Sequence, residues 1–201
     1  MTTDAPRLDF DAASHRYWLA GQATPSVTTI LRDLKLTPHY PRTEEANQAM
    51  TLGTRVHSAT EAHDRGDRAP VDDELAPYVS AWAEFLAHYG GTVTDVEMKV
   101  ASTRHRYAGT LDRIIRGPGG QPTVLDIKTG SSGFQAWHRL QLSAYQIAWE
   151  ESGHNLPGLP VKRVICYLQP GAWTMREAND PADLLAWRAA VNVYYWRKWN
   201  K

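Results

Sequence analysis

The sequence contains one cysteine, Cys166, in 201 residues. A single thiol excludes an internal disulfide, a four-thiolate zinc site and a cysteine-ligated iron–sulfur cluster. It also suits a reducing compartment, so a cytoplasmic location is expected. Long apolar runs are missing as well. No stretch approaches the roughly 20 residues that span a bilayer, so no membrane partner is expected. The opening MTTDAPRLDF has acids and no apolar run, which argues against a signal peptide. Net charge is absent too, with 22 basic and 22 acidic side chains, but the balance is uneven along the chain. Residues 44–97 hold 11 Asp/Glu against 3 Lys/Arg, and residues 98–201 hold 7 against 14. A basic second half points to a polyanionic partner.

Apolar residues make up 42% and charged residues 22%, ordinary values for a globular chain long enough to bury a core. One domain, 1–201, is expected, with residues 1–45 as an extension on a core of 46–201. Residues 8–22 read as a small hairpin. Ser26 is placed to cap a helix whose apolar stripe is Val27, Ile30, Leu31 and Leu34. A longer helix should run from Thr43 to about Arg65, with Gly66 as its C-cap. Gly53 inside it costs about 1 kcal/mol relative to Ala, so something is expected to approach it closely. Residues 75–89 form a further amphipathic helix, and 92–100 a strand on which Val93, Asp95 and Glu97 share a face by alternation. A helix over 134–151 carries Trp137, Gln141 and Tyr145 at spacings of four. Strands at 161–169 and 172–177 and a closing helix at 181–199 complete a mixed α/β chain, a central sheet flanked by helices.

The centre of the chain is Gly109-Thr-Leu-Asp112-Arg-Ile-Ile115, a Gly/Pro turn at 117–120, and Thr123-Val-Leu-Asp126-Ile-Lys128-Thr-Gly130. The two runs read as an antiparallel strand pair. Asp126 and Lys128 share one face and Leu125 and Ile127 the other. The first face is expected to meet Asp112 and the helix bearing His57, while Leu125 and Ile127 pack into the core. A carboxylate beside an ammonium, facing a second carboxylate, suits a divalent cation and a polarised water. The alternative is an Asp–Lys ion pair on a solvated face. Metal-dependent phosphodiester hydrolysis needs several oxygen ligands, and Glu97, Asp112, Asp126 with Lys128, and His57 come from separate elements that a sheet could bring together. Glu61 shares a helix face with His57, either as a further acid at the site or as a solvated one. A zinc helix built on His57 and Glu61 would lack its second histidine.

Taken in order, Gly53-x-x-x-His57, Glu97, Gly109-Thr-Leu-Asp112, Asp126-Ile-Lys128-Thr-Gly130 and Gln141-x-x-x-Tyr145 resemble the motif series of RecB-type nucleases of the PD-(D/E)XK superfamily. His15-Arg-Tyr-Trp-x-x-Gly21 with Pro25-Ser-Val-Thr-Thr-Ile-Leu31 is similar to the phage and mitochondrial-type single-chain exonucleases of that group. Leu125 stands where the superfamily name implies proline. The resemblance implies a restriction-endonuclease-like core and a Mg²⁺ or Mn²⁺ cofactor, without the iron–sulfur cluster of the four-cysteine branch. It implies Asp112, Asp126 and the Ile127 carbonyl as metal ligands, with His57 completing one site and Glu97 binding directly or through water. Lys128 would orient the attacking water, and Gln141 and Tyr145 would position Lys128 or the DNA backbone. The implied activity is a DNA exonuclease in replication, recombination or repair, in a phage or bacterial cytosol. Its substrate would be single-stranded DNA or duplex ends. With no helicase motif in the chain, a helicase, recombinase or single-strand-binding protein would be the partner. An inactive nucleic-acid-binding module of the same fold and a structure-specific endonuclease are the alternatives. Arg104, Arg106, Arg113 and Arg139 are candidate phosphate contacts. Tyr107 and Trp137 are candidate stacking rings, with core packing the competing role for Trp137.

Overall fold

The structure is a computed structural model that describes residues 6–39, 43–67, 69–130, 134–154 and 158–200. The expected hairpin at the start is a three-stranded antiparallel sheet of β1 (Leu8–Asp11), β2 (Arg16–Leu19) and β3 (Gln22–Thr24). Ser26 caps α1 (Val27–Asp33), its hydroxyl accepting from the Thr29 amide at 3.0 Å. Thr43 caps α2 (Glu44–Asp64) in the same way through the Ala46 amide. α3 (Ala76–Tyr89) ends on Gly90 at φ 69°, the left-handed stop that glycine adopts without steric cost.

Next come β4 (Thr92–Ser102), β5 (Tyr107–Arg116), β6 (Pro122–Thr129), α4 (Ala136–Trp149), β7 (Lys162–Gln169), β8 (Ala172–Glu177) and α5 (Ala182–Trp199). β4 to β8 form one sheet in chain order, antiparallel throughout except between β6 and β7. That parallel pair requires a crossover, which α4 supplies. The result is the mixed sheet flanked by helices that the sequence led us to expect. No described helix is long and apolar enough to cross a membrane.

Each face of the sheet has its own core. On one, Ile114, Val124 and Ile165 pack against Leu142, Ile147 and Trp149 of α4, Trp187 of α5 and Ile30 of α1. On the other, Ile115, Leu125, Ile127 and Cys166 pack against Val56 of α2 and Tyr78, Trp82 and Phe85 of α3. This division corrects one expectation. The helix bearing His57 covers the Leu125/Ile127 face, because those side chains need an apolar lid, and the Asp126/Lys128 face meets α4 instead. A second correction lies in β4. The β4–β5 register shifts between Val93 and Asp95, so simple alternation does not govern the strand up to Glu97.

Candidate active site

β5 and β6 pair from Arg116↔Pro122 up to Arg113↔Leu125 and no further. The next residue on each strand is an aspartate, Asp112 and Asp126, so the hairpin parts where its two carboxylates stand. β6 continues alongside β7 as far as Thr129↔Leu168. Facing also changes here. Leu111 and its partner Met98 pack into the α4 core, yet Arg113, two residues on, reaches Asp64 of α2. A backbone irregularity stands opposite this reversal on β4, where Glu97, between the partners of Leu111 and Arg113, has φ 49°. A non-glycine residue held there costs on the order of 1–3 kcal/mol, a strain found mainly where function keeps it.

The parting of the strands leaves the Ile127 peptide to side chains. Its N–H donates to Asp112 Oδ2 at 2.7 Å, and its carbonyl lies 3.0 Å from His57 Nε2. His57 Nδ1 in turn is 3.7 Å from Asp112 Oδ2 and 3.9 Å from Glu97 Oε1. One ligand atom from each of His57, Glu97 and Asp112 falls within 4.8 Å of the others. Burial alone would lower the His57 pKa, but the Asp112 and Glu97 carboxylates outweigh it and raise it from 6.5 to about 9. Burial would raise Glu97, and His57 and Arg113 together hold it below the ordinary carboxylate range. The imidazolium thus supplies the positive charge that the carboxylates require. Two carboxylates, an imidazole and a nearby backbone carbonyl form a donor set that fits a divalent cation.

Asp126 stands apart from that triad. It is 2% exposed, and its Oδ2 lies 2.6 Å from Lys128 Nζ. Burial raises its carboxyl, Lys128 offsets part of the rise, and Asp112 adds to it. Lys128 is held from α4 as well. Its Nζ donates to Gln141 Oε1 at 3.2 Å, and Gln141 Nε2 donates to Tyr145 Oη at 3.2 Å. The Trp137 ring centroid lies 5.5 Å from the same ammonium. Tyr145 can sit so close because residue 109 is glycine, where a Cβ would fall 2.6 Å from its ring. Gly53 meets its expectation, since a Cβ there would lie 3.1 Å from Thr129 Oγ1, where α2 passes the end of β6.

The family model of the PD-(D/E)XK nuclease superfamily matches residues 71–200. The chain belongs to the PD-(D/E)XK nuclease superfamily. The match spans Glu97, both aspartates, Lys128, Gln141 and Tyr145, and begins after His57 and the small N-terminal sheet. Among solved structures, a "putative exonuclease" from Eubacterium rectale is similar with a TM-score of 0.50 and 12% identity, over 86% of this chain and 73% of that one. The protein SSO0001 aligns with a TM-score of 0.39 and 15% identity, over 84% and 82%. At 12% identity the likeness to the first of these is one of fold. No curated protein matches the sequence. Nucleases of this superfamily use divalent metals, and the His57, Glu97 and Asp112 cluster is where this PD-(D/E)XK chain offers a site for one.

The remaining residues divide. Glu61 lines the same cleft as His57 and pairs with Arg65 at 2.7 Å. Arg104 and Arg106 lie in the β4–β5 turn, with Arg106 bonded to the Gln22 side chain of β3. Arg113 corrects its expectation. It is 0% exposed, bound at 2.5 Å to an equally buried Asp64 and 3.5 Å from Glu97, and no phosphate can reach it. Arg139 is taken by Asp183 and Asp180, so its charge serves the α4–α5 contact. Tyr107 is buried with its hydroxyl donating to the Ala144 carbonyl, which removes it as a stacking ring. Trp137 packs partly against the α4 core. Sequence reasoning missed the contribution of His15, Tyr17 and Met50 to the cleft, whose volume is about 490 Å³. Only the His15-Arg-Tyr-Trp motif hinted at it, and nothing local shows that Tyr17 bonds Thr110 at 2.8 Å.

Proposed function

We propose that the protein is a Mg²⁺- or Mn²⁺-dependent DNA exonuclease of the RecB-like branch, acting on single-stranded or end-processed DNA, with the whole chain as one nuclease domain. One observation carries the reading: Lys128 is fixed by Asp126 and Gln141 beside a cleft that holds His57, Glu97 and Asp112. His57, Glu97, Asp112 and the Ile127 carbonyl would hold the metal, with Asp126 completing the set. When bound, the cation supplies a polarised water and neutralises phosphate charge. Lys128 keeps a positive charge aimed at the cleft, where it steadies the water and the charge that develops on the phosphate. Gln141 and Tyr145 are positioning residues that keep Lys128 in place. The His57 position and the His15–Gly21 and Pro25–Leu31 motifs support the RecB-like, phage or mitochondrial-type assignment. The basic second half supports DNA as the polyanion, and a helicase, recombinase or single-strand-binding protein would supply unwound ends.

End-labelled linear and circular DNA, single- and double-stranded, tests this with each metal. Linear single strands should be degraded and circles spared. Circles cut as fast as linear strands would favour the endonuclease alternative, and binding without cleavage in either metal the inactive module.

Two further outcomes follow from the geometry. Gly109→Ala drives a Cβ into the Tyr145 ring, shifts the Gln141 bond to Lys128 and lowers kcat by about 10²-fold. Calorimetric metal affinity should be unchanged, and an equal loss of metal affinity would contradict the positioning of Lys128 through Tyr145 and Gln141. The second concerns pH. Metal entry must displace the His57 proton, so affinity should climb by up to about tenfold per unit between pH 6.5 and 9. In the metal-free protein the raised pKa contributes stability that is fully present below pH 6.5 and is lost as pH rises through 9. Calorimetry in buffers of different ionisation enthalpy reads the released proton. No release at pH 7.5 would remove His57 from the ligand set.

A further inference from the structure

The cleft has an aromatic wall that the roles above leave unused. His15 and Tyr17 of the small N-terminal sheet and Met50 of α2 line it together with His57, Glu97 and Asp112. His15 is exposed on the β1–β2 turn at φ 52°, a left-handed conformation in which glycine or asparagine is the low-cost choice. Asp11 builds that turn by accepting from the Ala13 amide at 3.0 Å and the Ser14 hydroxyl at 2.5 Å. The ring therefore stands at this position at a conformational cost. It meets Phe10 and Tyr17 at interplanar angles of 89° and 85°, so neither of these ring contacts is a stack. The sheet is anchored to the nuclease core by Tyr17 to Thr110 and by the Ala108 amide donating to the Pro25 carbonyl at 3.1 Å. Thr110 is two residues from Asp112, which ties the His15 turn firmly to the carboxylates.

A charge stands behind the wall, and apolar surface belongs to it. Lys99 Nζ donates to the Glu97 carbonyl at 2.8 Å and lies 5.2 Å from the Phe10 ring centroid, close enough to serve a neighbouring phosphate. Met50 is 70% exposed, and a thioether is a soft surface for a π face. A ring free to stack, a cation beside it and an exposed methionine suit an unpaired base with its phosphate. A base inside a duplex has both faces covered by its neighbours and cannot use them.

We propose that His15, braced by Phe10 and Tyr17, stacks on a nucleobase of the DNA strand being cut, and so makes the cleft favour an unpaired nucleotide. This rests on the nuclease reading. The measurement is a cycle between protein and substrate: wild type and His15→Asn against a single-stranded oligonucleotide, intact or with one abasic residue scanned over its three terminal positions. Asparagine keeps the left-handed turn and removes the ring. Loss of one stack should raise KM about tenfold with kcat nearly unchanged. The abasic substrate should cost the wild type as much, and His15→Asn nothing more. His15→Phe should restore KM, and His15→Lys should not. An unchanged KM in His15→Asn, or protein and abasic losses that multiply independently, would overturn the proposal. The same cycle read as Kd by fluorescence anisotropy in Ca²⁺ separates the two readings. A wild type that cleaves nothing but shows the coupled loss in Kd defeats the nuclease and leaves the stack standing.

Discussion

Replacing Asp112 with asparagine lowers metal-dependent turnover by at least about 10³-fold while leaving the protein folded. The Asp112 carboxylate faces His57 and accepts from the Ile127 amide at 2.7 Å. Asparagine keeps an acceptor for that amide, so the strand geometry survives. What is lost is a full negative charge in a part-buried cluster, and several kcal/mol of charge stabilisation correspond to about three decades of rate. A second readout accompanies the first. With its principal carboxylate neighbour neutral, the His57 imidazole should titrate below its value of about 9, a move of its midpoint to lower pH that NMR follows directly. Asp112→Asn that bound Mn²⁺ as tightly as the wild type would end the assignment of the triad as the metal site.

Asp64→Ala should cost about 3–5 kcal/mol of stability, because it strands a buried guanidinium. Asp64 and Arg113 are 1% and 0% exposed with 2.5 Å between them, and Asp64 also accepts from the Trp82 indole at 2.8 Å. For a chain of this length that corresponds to a fall in Tm of roughly 10 °C or more. The effect should also reach the cleft. Arg113 already lies 3.5 Å from Glu97 and donates to the Asp112 carbonyl at 2.8 Å, so once unpaired it competes with metal for Glu97. Asp64→Leu with Arg113→Met should be more stable than either single change, since an apolar pair leaves no stranded charge. A fall in Tm of only a degree or two in Asp64→Ala would show that the ion pair is not what holds α2 to β5.

The sequence made the hairpin legible because Gly and Pro punctuate it and β-branched residues fill its strands, and the helix caps at Ser26 and Thr43 because their chemistry is local. The ordered residues His57, Glu97, Asp112, Asp126 and Lys128 were legible as a set through their types and spacing. What escaped was set by contacts across the chain. Arg113 reads as a surface cation until Asp64, in a helix three elements earlier, is seen to bury it. Tyr107 and Arg139 were misread for the same reason, their partners lying at Ala144 and at Asp180 and Asp183. The left-handed Glu97 and the reversal of facing around it have no compositional mark, since nothing in Val96-Glu-Met98 differs from an ordinary strand.

The Ile127 peptide lies beyond the last β5 pair, and its N–H and carbonyl are taken by Asp112 and His57. The two side chains offered to a metal therefore also close a gap in the ladder inside the sheet. Ile127 is 0% exposed on a strand flanked by β5 and β7, so water cannot take their place. Truncating either residue removes a ligand and strands a buried backbone group at once, so stability and chemistry in this chain rest on the same two side chains.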